Sequence, residues 1–127
     1  MEVKIIVNSI QVKEKLTILL TSSVITQKAF HVTLNTFDYL SKKFKKEVID
    51  NSEMFWTHMS MALTRMERGE CEDGPSNTIM NEVNETPYKE DIEEIINHIN
   101  SLVGQELPEG ERVYFYLHLH RVIESNK

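Results

Sequence analysis

Beyond residue 10, apolar residues recur every three or four positions along almost all of the chain. That is the repeat of α-helices lying on a core, not the alternation of strands. Val12 to about Thr21 predicts a short first helix through Leu16, Leu19 and Leu20, with residues 3–7 either an extended arm or part of it. Thr26 is a hydroxyl N-cap for a second helix to about Lys45, whose Phe30, Leu34, Phe37, Leu40 and Phe44 make one stripe. Asp50, with Glu53 three residues on, predicts a capping box for a third helix. That helix carries Phe55, Met59, Ala62, Leu63 and Met66 on one side and stops near Gly69. An acidic loop over residues 70–77 and a short helix over about 77–83 follow. Thr86 then caps a helix with Pro87 at its first position, and Ile92, Ile95, Ile96, Ile99, Leu102 and Val103 form its apolar face up to Gly104. Pro108 opens a last helix to about Glu124 that is apolar on most sides, the pattern of a central helix or half of a dimer interface. The expected fold class is all-α: a compact bundle of five to six helices, with residues 1–25 an N-terminal extension packing on a helical domain of 26–127.

With four glycines and three prolines, the chain lacks the turn residues that an all-β fold needs. Its 127 residues suffice for a core without metal or disulfide staples. A net charge of -6 argues against direct nucleic-acid binding, which needs clustered cations. The one basic run, Lys42-Lys43-Phe44-Lys45-Lys46, reads as a solvated helix end, where cations suit the helix dipole. The single cysteine, Cys71, lies between acids that raise a thiol pKa, so no catalytic role is expected of it. No apolar run reaches the length of a membrane span, and the start does not read as a signal peptide. These features predict a cytoplasmic protein.

The candidate chemistry is a pair of histidines, His58 and His118, sixty positions apart in similar helical settings. With about 100° per residue, His58 falls at the edge of the third helix's apolar stripe, and Arg65 lies two turns on along the same edge. There an imidazole is held by packing yet keeps a nitrogen within reach, and an arginine can meet a phosphate bidentately. The plainer alternative is a partly buried histidine with Arg65 in an ordinary ion pair. His118 borders the face of Phe115, Leu119 and Val122, beside Tyr114 and Glu111. His120 points about 200° away from His118, so the two make a poor chelate and no metal site is expected. His31 is expected exposed and His98 structural. No phosphate loop, nucleophile elbow or calcium loop is present, so neither a cofactor nor an enzymatic activity is expected.

Two motifs resemble those of the PRD, the phosphotransferase-system regulation domain of bacterial antiterminators and activators. One is His58 followed by Arg65 and Gly69. The other is Leu107-Pro108-x-x-Glu111-x-x-Tyr114-x-x-Leu117-His118. The resemblance covers about residues 27–125. It implies a helical bundle that pairs as a homodimer, with His58 and His118 as phosphorylation sites. The implied phosphoryl donor is the histidine phosphocarrier protein or a sugar-permease subunit. Arg65 would steady the phosphoryl group, and Glu111 would orient His118 or support the fold. The residues ahead of the resemblance are too few for a separate output domain, so a stand-alone regulatory domain in transcriptional or metabolic control is expected. The alternative is an interaction module that keeps the fold without phosphoryl transfer.

Overall fold

The computed structural model describes residues 7–70 and 86–127. Their regular elements are five helices: α1 (Ser9–Thr21), α2 (Gln27–Phe44), α3 (Glu53–Glu67), α4 (Lys89–Val103) and α5 (Glu109–Asn126). The fold is all-α. One isolated antiparallel bridge, Asn8 to Val48, ties the start of α1 to the α2–α3 connection. The acidic loop from Cys71 onward and the short helix expected near 77–83 lie outside the described residues.

The first two helices start where a side chain answers an orphan N–H group. Asn8 accepts from the Gln11 amide at 2.9 Å, which starts α1 three residues ahead of the expected Val12. Thr26 caps α2 as expected, accepting from the Ala29 amide at 3.2 Å. The capping box expected at Asp50 is not formed, because Asp50 is paired with Lys46 at 3.0 Å. Ser52 stands at the α3 N-cap instead. Its buried hydroxyl donates to the Ile49 carbonyl at 2.6 Å and accepts from the Trp56 indole at 2.8 Å. The start expected at Thr86-Pro87 is also displaced. Thr86 accepts from the Tyr88 amide and pairs with the His120 ring, so α4 begins at Lys89. Gly104 ends α4 with φ +84, a left-handed conformation that suits glycine, and Pro108 precedes α5.

α2 packs against α1, α3 and α4, while α5 packs against both α3 and α4. This two-sided packing explains why the last helix is apolar over so much of its circumference. Phe115, Leu119, Val122 and Ile123 are buried in one apolar cluster with Phe55 and Met59 of α3 and the isoleucines of α4. Phe37, Trp56, Phe55 and Phe115 form a run of touching rings through the middle, with centroids 4.8 to 5.8 Å apart. At the far end, Asn126 is a buried staple. Its amide accepts from the Asp50 backbone N–H and from Lys46, and donates to the Asp50 and Val122 carbonyls.

Candidate functional site

His58 and His118 meet across the seam between α3 and α5. Their ring centroids are 5.0 Å apart and their planes differ by 29°. The reason lies in the sequence of each helix. Each histidine follows a fully buried phenylalanine by three residues, in Phe55-x-x-His58 and Phe115-x-x-His118. Residues three apart share a helix side. The two phenylalanines touch edge to face at 5.8 Å, so their histidines are brought together, and each also lies against the opposite phenylalanine. Tyr114 closes the outer side of His58 at 5.4 Å. Both histidines were legible as border residues; their pairing was not, although the repeated Phe-x-x-His spacing was its signal.

A second pair lies along the same seam. Seven residues on from His58 is Arg65, and seven back from His118 is Glu111. Because α3 and α5 run antiparallel here, those two also meet. Arg65 Nη2 donates to Glu111 Oε1 at 3.0 Å and Oε2 at 3.2 Å, and Nε donates to Oε1 at 3.3 Å. The Glu111 side chain is fully buried, whereas Arg65 and His58 each keep about a fifth of theirs exposed. A carboxylate buried this deeply requires a charge partner, and the guanidinium supplies it in fork geometry. Glu111 was expected to orient His118 or to support the fold, and its buried ion pair makes it one of the groups that hold α3 to α5. The carboxylate faces His58, with Oε2 3.9 Å from Nε2. Arg65, expected to be poised for a phosphate, is bonded to Glu111 in this structure.

His118 sits in a setting that disfavours its charged form. Burial, then the neighbouring His58, then Arg121, push its pKa down to about 4, so the ring is neutral at pH 7. Arg121 was not singled out from the sequence; it lies three residues on, one turn further along α5.

The other histidines do different work. His120 points away, its Nδ1 2.6 Å from the Thr86 hydroxyl and its Nε2 3.1 Å from Glu124. His98 stacks on Tyr39 and bonds Asn35, and burial lowers its pKa. His31 is exposed. Among the described residues no group of three or more His, Cys, Asp or Glu is arranged to hold a metal. Nor is any described helix long and apolar enough to cross a membrane. The basic run is tied down more than a solvated end would be: Lys43 pairs with Asp91 and Glu94, and Lys46 with Asp50 and Asn126.

No curated protein and no solved structure matches the chain. The family model of the PRD domain does match, over residues 50–122. That span begins just before α3 and ends inside α5, so it contains the whole histidine seam, while α1 and α2 precede it. With the match covering more than half of the sequence, and both histidine motifs inside it, the chain belongs to the PRD domain family.

Proposed function

We propose that this PRD is a regulatory domain of the bacterial sugar phosphotransferase type, whose state is set by phosphorylation of His58, His118 or both. The observation that carries this reading is the pair itself: two imidazoles 5.0 Å apart on one helix–helix seam of a PRD. A neutral ring such as His118 offers a lone pair for attack on phosphorus. The donor is a phosphohistidine on the phosphocarrier protein or on a permease subunit. A bound phosphoryl group carries nearly two negative charges and three acceptor oxygens. Beside the buried Glu111 carboxylate it disfavours the present seam and competes for Arg65. The shift between α3 and α5 is passed on through a homodimer or a partner protein, in the cytoplasm, to transcriptional or metabolic control. The chain acts as a phosphoryl acceptor and signal, not as an enzyme.

The second reading is an interaction module that keeps the PRD fold without phosphoryl transfer. It is favoured by one observation, that Arg65 already serves Glu111 in an ordinary buried ion pair. The two separate in one experiment. The purified protein is incubated with phosphoenolpyruvate, the general phosphotransferase enzyme and the phosphocarrier, with permease subunits tested in parallel, and its intact mass is measured. The expected result is an acid-labile phosphoryl mass that is lost in His58→Ala or His118→Ala. No added mass from donors shown to be active refutes the phosphorylation reading and leaves the interaction module.

A further inference from the structure

Two arginines lie near the histidine pair, and they differ in what they already hold. Arg65 makes three hydrogen bonds to Glu111, whose side chain is fully buried. Drawing it off strips a buried carboxylate of its guanidinium, which costs far more than breaking an exposed contact. Arg121 is exposed, and among the described residues it makes no hydrogen bond or ion pair. It stands three residues beyond His118 on α5, one turn along the same side. Helical side chains lean towards the N-terminus of their helix, so the Arg121 stem is directed back over the turn that carries His118. Its charge is already felt there: after burial and the neighbouring His58, it helps to keep the His118 ring neutral. That ring is partly exposed, and among the described residues neither of its nitrogens is hydrogen-bonded. Glu111, by contrast, faces His58.

We propose that Arg121 is the cation that binds a phosphoryl group carried by His118, so that this ring is phosphorylated while Arg65 stays on Glu111. This rests on the phosphorylation reading above. In the step, the lone pair of the neutral His118 ring bonds to the phosphorus of a donor phosphohistidine. The donor N–P bond breaks, its electron pair returns to the donor ring, and His118 keeps the proton on its other nitrogen. The charge of Arg121, which opposes a proton on His118, favours the dianionic group. The guanidinium can meet two of its oxygens in fork geometry. The two histidines then differ in effect. On His58 the group faces Glu111 and competes for Arg65. On His118 it is met by Arg121, and the α3–α5 seam stays closed.

The test compares full-length wild type, Arg121→Gln and Arg121→Lys. Each is phosphorylated by the protein donors and, separately, by potassium phosphoramidate, a small donor that needs no docking. Occupancy of each histidine is read from peptides released at alkaline pH, where phosphohistidine survives. At equilibrium with a protein donor, the ratio of phosphorylated to free His118 should fall about tenfold in Arg121→Gln, the size of one charge-assisted contact. Arg121→Lys should recover part of it, and His58 occupancy should not change. In phosphoramidate-labelled protein, the 31P signal from His118 should titrate at lower pH in wild type than in Arg121→Gln, because the guanidinium favours the dianion. The unphosphorylated proteins should melt together, since Arg121 is exposed and unpaired among the described residues. Equal His118 occupancy, an unshifted 31P titration, or phosphate on His58 alone each overturns the inference and leaves the phosphorylation reading standing. If active protein donors label neither histidine, that reading fails instead, and the 31P titration of the phosphoramidate-labelled protein still decides whether Arg121 binds the group.

Discussion

Replacing His118 by glutamine isolates the electrostatic cost of burying that ring beside His58. In the folded chain its pKa falls from an ordinary 6.5 to about 4, chiefly through burial. The sign follows from which state binds the proton more readily. Between those values the unfolded chain takes up a proton that the folded chain refuses, so acid favours unfolding. The stability associated with a neutral His118 is therefore whole above pH 6.5, is lost progressively as pH falls, and is gone near pH 4. At about 1.4 kcal/mol per tenfold change in proton affinity the full effect is at most about 3 kcal/mol, and the solvent that still reaches the ring reduces it to about 2. Urea unfolding of wild type and His118→Gln at matched pH values from 7.5 to 4.5 measures it. Carboxylates titrate alike in both proteins, so the difference between the two stabilities reports on His118 together with its coupling to His58. Wild type should lose about 1 kcal/mol more than the variant between pH 7.5 and 5.5, and about 2 by pH 4.5. Parallel pH profiles for the two proteins, or a His118 ring titrating near 6.5 by NMR, would refute the argument.

Two further outcomes follow from other parts of the bundle. Asn126→Ala removes the hydrogen bonds that join the end of α5 to Lys46 and to both backbone groups of Asp50. It leaves the part-buried Asp50 amide and carbonyl without these partners, while Lys46 keeps the Asp50 carboxylate, and should cost about 2 kcal/mol in urea unfolding at pH 7. Gly104→Ala places a Cβ in open space but on a backbone with φ +84. It should cost about 1 kcal/mol through strain alone, read as a lowered melting temperature with an unchanged helical circular dichroism spectrum.

Helix number and core faces were legible because they depend on local periodicity. The four isoleucines of α4 and the Phe55, Met59, Ala62, Met66 face of α3 are buried as the 3.6-residue repeat requires. Thr26 worked as a cap because its hydroxyl can donate to the distant Glu67 and still accept from the Ala29 amide, and Gly104 worked as a stop because its left-handed conformation is a local property. The misplaced starts have the opposite cause. Asp50 and Thr86 are plausible caps in sequence, but partners far along the chain or in space engage them: Lys46 and Asn126 at Asp50, and His120 at Thr86. Glu111 shows the same limit at the site. Its position seven residues before His118 shows that both lie on one side of α5. Its actual partners are on α3, and only the antiparallel register of the two helices reveals them.

That register also explains why a seam of this kind responds to charge. In the structure Arg65 and Glu111 cancel each other, and His118 is neutral at pH 7. That ion pair and the His118 ring therefore add no net charge to a region lined by Phe55, Phe115 and Tyr114. Two charges about 5 Å apart interact weakly in water but several-fold more strongly where water is largely excluded. A dianionic group on His58 would face Glu111 across the same small space. The arrangement can then relieve the repulsion in two ways: Arg65 leaves Glu111 for the new group, or α5 moves its buried carboxylate away from α3. Both break the three hydrogen bonds that join the two helices at this end, and both act on the first turn of α5, where Glu111 sits. The histidines need no special reactivity to work as a switch on this account. They need only to share a seam with a buried carboxylate whose partner Arg65 can be drawn off.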